Sequence, residues 1–75
     1  MLFRSMTVTG ILTRTDSGWN IQDVHSGKVY ELSGETFPKK AEGIQIRVIG
    51  TIEDSFGLGV LHDEAVLRVQ QWRAV

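Results

Sequence analysis

The stretch "IQIRVIGTIE", residues 44–53, constrains this chain more than any other. Ile44, Ile46, Val48, Gly50 and Ile52 alternate strictly with Gln45, Arg47, Ile49, Thr51 and Glu53. A repeat of two, rich in β-branched side chains, is the pattern of a strand with one face buried. Glycine in the middle of that face has no side chain to bury. Its place there predicts a sharp bend or a bulge, the device by which a strand turns a barrel corner.

"TVTGILTRT", residues 7–15, has the same design, with Val8, Gly10 and Leu12 on one face and Thr7, Thr9, Ile11 and Thr13 on the other. "DSG" at 16–18 reads as a turn, and residues 19–24 form a second strand with Trp19, Ile21 and Asp23 on one face. "HSGK" at 25–28 is another turn, and residues 28–33 form a third strand carrying Tyr30 and Leu32. In the usual hairpin register Trp19 and Ile21 meet Tyr30 and Leu32 as one wall of the core. Trp19 is therefore assigned to structure rather than to stacking on a ligand.

Residues 34–43, "GETFPKKAEG", show no alternation and hold the chain's single proline. They read as a connector with one helical turn after Pro38. Residues 54–64 read as a long loop with a short strand at 58–61. The final segment, 63–74, admits two readings. As a strand it turns Leu67 and Val69 inward with Ala65; as a helix Ala65, Val69 and Trp72 share a face. The strand is preferred, because four strands leave an open barrel edge that a fifth closes.

Three meander strands, a connector, a long bent strand, a loop and a final strand spell an all-β, small five-stranded Greek-key barrel. An SH3-like barrel is the alternative. Val8-x-Gly10, Gly18-Trp19, Gly27-x-x-Tyr30-x-Leu32 and Gly43-x-x-Ile46-x-Val48-x-Gly50 together resemble a family of short bacterial OB-fold-like domains of unknown function. The resemblance covers residues 7–53 and implies a binding scaffold, with a connector too short for the full helix of a typical OB domain. Residues 1–75 make one domain, with 1–6 as a flexible or capping lead.

A chain of this size buries only about 60% of its unfolded surface, so its core is thin. It has no cysteine, which removes disulfide staples, thiolate metal sites and a cysteine nucleophile. A small domain without staples fits a reducing cytoplasm. "MLFRSM" has no apolar run long enough for a signal peptide, and no stretch approaches the ~18 residues of a membrane-spanning helix. Membrane binding is not expected.

Eight basic and nine acidic residues give a net charge of −1. A protein that holds a phosphate backbone by electrostatics normally carries a basic excess, so composition opposes nucleic-acid binding. An OB-like barrel would bind such a strand across its second and third strands. The outward residues there are Asn20, Gln22, Val29 and Glu31, a surface with no aromatic. Arg14, Lys28 and Arg47 border it in this reading, and Phe56 in the loop after the fourth strand is placed to stack.

Chemistry of other kinds finds little support. His25 and His62 sit in predicted turns, and successive side chains of His62-Asp63-Glu64 diverge, so a metal or small-ligand site in 54–64 ranks third. "SFGLG" lacks the lysine and helix of a phosphate loop. Two turn histidines leave little for a preorganised pocket, so no enzyme and no cofactor is expected. The leading expectation is a non-enzymatic interaction module. Ile11 and Ile49 lie opposite their strands' apolar stripes, Trp72 lies off the Leu67–Val69 face, and Phe3 stands in the lead. Exposed residues of this kind mark interfaces when they form one patch, here for a protein partner or a second copy. The competing reading folds Phe3 over Trp72 as a cap on the barrel end.

Overall fold

The first strand, β1 (Ser5–Thr15), has two partners along its length, and Gly10 stands where it changes from one to the other. It pairs antiparallel with β4 (Gln45–Glu53) through Ser5–Ile11, and with β2 (Gly18–Asp23) through Gly10–Thr15. A Cβ on Gly10 would collide with the Gln22 carbonyl and the Ile21 side chain. Only a residue without one lets the two ladders overlap there.

The computed structural model describes residues 5–53 and 65–75. Within them β3 (Val29–Ser33) continues the meander, and β5 (Ala65–Ala74) closes the barrel in the order β1-β2-β3-β5-β4, with β4 returning to β1. β3 and β5 run parallel, and every other pair is antiparallel. The protein is thus an all-β, five-stranded closed barrel of OB-fold-like order, and 65–74 is strand rather than helix.

The hairpin register is Trp19 with Leu32 and Ile21 with Tyr30, as the alternation requires. Ile21, Tyr30 and Leu32 are buried, and half-buried Trp19 packs against them. Leu12, Ile46, Val48 and Leu67 complete the centre of the core. Ile44 and Ile52 depart from the sequence reading, being 37% and 38% exposed. They sit at the two ends of the apolar stripe, where the strand overruns a barrel too small to cover it.

The connector contributes what alternation could not signal. A 3-10 turn at Lys39–Ala41 follows Pro38, and Phe37 and Ala41 are buried. The Phe37 ring lies between two indoles, 5.4 Å from Trp19 and 5.0 Å from Trp72. Tilted aromatic packing of this kind anchors the connector to the core. Gly43, at φ 84°, donates to the Leu12 carbonyl at 2.7 Å and brings the chain back to β1.

β5 carries a bulge. Ile49 faces Gln71 while Gly50 faces Val69, so Gln70 is an extra residue. A Cβ on Gly50 would strike the Arg68 carbonyl, which accounts for the glycine in that strand. The extra residue also resets the alternation. Leu67 and Val69 point inward, and after Gln70 the inward position falls on Trp72, which packs against the core. Strict alternation had placed Trp72 on the opposite face from Leu67 and Val69; the bulge returns it to theirs.

Both glycines face backbone rather than a flexible side chain, so relaxation around an added methyl is limited. Gly10→Ala or Gly50→Ala should each lower stability by roughly 1–3 kcal/mol or more. Urea unfolding followed by tryptophan fluorescence measures this, and an unchanged midpoint would contradict the close approach.

Candidate functional site

The outward side chains of β1, β4 and β5 form rows across the sheet. Thr7, Ile49 and Gln71 make one row, and Thr9, Arg47 and Arg73 make the next. Arg47 and Arg73 are direct cross-strand partners, and Arg47 Nε donates to Thr9 Oγ1 at 3.4 Å. Like charges opposite each other destabilise a sheet. The outward positions of these three strands include three arginines, Arg47, Arg68 and Arg73, against one acid, Glu53. Glu53 accepts a hydrogen bond from Ser33 Oγ at 2.8 Å, across β5 and away from the arginine pair.

An open groove of ≈ 470 Å³ runs here, lined by Thr7, Arg47, Ile49, Gln71, Trp72 and Arg73. That volume lies within the range of ligand-binding clefts. Trp72 belongs to both core and groove: its ring packs against Phe37, and the residue is one of those that line the groove. The β5 bulge sets this arrangement, because it returns Trp72 to the inward phase while leaving Gln71 and Arg73 outward.

The residues expected from the sequence divide differently from the reading that grouped them. Asn20 and Glu31 are partners on the outward face of β2 and β3, with Gln22 beside them opposite Val29. Gln22 Nε2 donates to the Gly27 carbonyl at 3.3 Å and so braces its own turn. Arg14 and Lys28 do not border that face. The Arg14 guanidinium carbon lies 5.9 Å from the Trp19 ring centre and Lys28 Nζ 5.4 Å from that of Tyr30, at opposite ends of the hairpin. Arg14 in β1 and Lys28, just before β3, each lie over an aromatic face that receives the cation. Arg47 lies away from that surface, on β4 between β1 and β5.

Ile11 and Ile49 share the β1–β4 outer face, both half-buried, with the Thr9–Arg47 row between them. Phe3, Phe56 and the His62-Asp63-Glu64 segment lie outside the described residues. Thr7, Gln71 and Arg73 were not singled out by sequence. The meeting of Arg47 and Arg73 follows only from the β4–β5 register, and that register contains a bulge.

His25 belongs to a turn organised by Asp23. The Asp23 carboxylate accepts from the His25 amide at 2.7 Å and the Ser26 amide at 3.4 Å. The His25 amide bond holds the carboxyl below its ordinary value, aided by Ser26 and opposed by desolvation. No known protein family, curated protein or solved structure matches this chain.

Two measurements follow from these contacts. Arg73→Gln removes one of two facing charges and should raise stability by a few tenths to about 1 kcal/mol, read by urea unfolding. Carboxyl NMR should place the Asp23 midpoint below that of an unstructured peptide. A depressed folded-state pKa stabilises the fold above the unfolded-state value and loses that contribution as pH falls through the folded one. Asp23→Asn should therefore flatten the pH dependence of stability in that acidic window.

Proposed function

We propose that this chain is a non-enzymatic binding module that works through protein contacts on the outer face of β1, β4 and β5. One observation carries the reading: an open groove that brings Ile49 and Trp72 together with Arg47 and Arg73. Tryptophan and arginine around an apolar centre are the residues that dominate binding energy at protein interfaces. Ile11 lies on the same face, beyond the Thr9–Arg47 row. The barrel itself is a scaffold, and the reading rests on this face rather than on the fold. The resemblance of residues 7–53 to short bacterial OB-fold-like domains agrees with a binding role. A cysteine-free composition favours the cytoplasm as the place of action. Among the described residues no helix is long and apolar enough to cross a membrane.

A second reading, single-stranded nucleic acid, draws on Trp72 standing beside two arginines, an aromatic and cations in one groove. The net charge of −1 and the acidic, aromatic-free β2–β3 face weigh against it.

The test is site-specific photo-cross-linking in the cell of origin. A benzophenone side chain at position 71 should form protein adducts, and Ile49→Asp should suppress them without unfolding the barrel. The same group at position 22, on the β2–β3 face, should form none. Adducts from position 22 alone, or adducts unaffected by Ile49→Asp, would remove this face from consideration. A covalent dimer as the adduct would identify the partner as a second copy.

A further inference from the structure

The rows of the β4 face alternate in chemistry. The Ile49 row, Thr7, Ile49 and Gln71, is uncharged with an apolar side chain at its centre, and the neighbouring row presents Arg47 and Arg73. Successive outward residues on one strand are two positions apart, so the rows lie ~7 Å from each other. An extended peptide lying along β4 offers its own alternate side chains at that spacing. One side chain then faces the arginines while the next on the same side comes beside Ile49.

We propose that the groove docks a short, extended acidic segment of a protein partner, with an acidic residue and an apolar residue separated by one position. The inference rests on the docking face described above and adds the chemistry of its occupant. A carboxylate between Arg47 and Arg73 converts a repulsive pair into two charge-assisted hydrogen-bonding partners. No acid of this chain performs that task among the described residues: the outward positions of β1 and β5 hold none, and the Glu53 carboxylate is bonded to Ser33. The Thr9 hydroxyl, already 3.4 Å from Arg47 Nε, steadies that guanidinium on the rim.

The same face limits the length of the anion. Past Ile49 the outward positions of β4 are Thr51, with Arg68 opposite it, and then Glu53, and Glu31 faces Val66 across the next pair of strands. A polymer with a charge on every unit would run from the arginines onto these carboxylates. A segment with one or two acids would not. Charge therefore favours a peptide over a nucleic-acid strand, and Ile49 gives the peptide's second side chain an apolar contact.

The experiment titrates the ¹⁵N-labelled full chain with an acetylated, amidated peptide of sequence glycine-serine-glutamate-serine-leucine-serine-glycine. Its glutamine counterpart and a hexathymidylate serve as the other probes. The glutamate peptide should shift the amides of Arg47, Ile49, Gln71 and Arg73 and the Trp72 indole N–H. The glutamine peptide should bind about tenfold or more weakly, and added salt should weaken the glutamate peptide. Arg47→Gln with Arg73→Gln, folded by its own spectrum, should remove the preference for glutamate and leave the weak glutamine binding. Equal binding of the two peptides in the groove would overturn the acidic assignment while leaving the docking face in place. Hexathymidylate shifting these residues at lower concentration than the glutamate peptide would overturn it in favour of nucleic acid. Absence of any peptide shift together with absence of adducts from position 71 would remove the docking face itself.

Discussion

Closure of this barrel depends on two places where a backbone carbonyl occupies the space of an absent side chain. At Gly10 the Gln22 carbonyl approaches as β1 passes from β4 to β2. At Gly50 the Arg68 carbonyl approaches beside the β5 bulge. Five strands of this length form a closed ring only if some of them bend, and bending brings neighbouring backbones within a methyl group of one another.

Much of the fold was legible because its signals are local. The alternation around Ile46 and Val48 marked β4, and the glycines at its centre and in β1 stand where a neighbouring backbone comes close, although the bulge itself lies in β5. The turns at 16–18 and 25–28 set the hairpin register that pairs Trp19 with Leu32. Burial of Phe37 was not legible, because the connector has no period to reveal which residue turns inward. Its position is fixed by Trp19 and Trp72, residues far from it in sequence. Ile44 and Ile52 show the opposite failure: their phase was right, but phase does not say where the barrel ends.

The candidate site was less legible than the fold for one physical reason. A groove between strands is made by register, and a single extra residue changes every later assignment. Counting through β5 without the bulge puts Trp72 outside, unconnected with Phe37. With Gln70 inserted, Trp72 joins the core, while Arg73 comes to face Arg47. Arg14 and Lys28 failed differently, since each long cation lies over an aromatic ring.

The parallel pairing of β3 with β5 has a consequence for how the chain reaches this state. Tyr30 meets Ala65 only after the connector, all of β4 and the following segment have been placed. Contacts this distant in sequence impose their loop-closure entropy before they return any stabilisation. The meander of β1 to β3 can form early from short turns, but until β5 arrives both β3 and β4 present unpaired edges. Barrels dominated by such pairings fold slowly for their size, and the interval before closure is when an exposed edge can meet another chain.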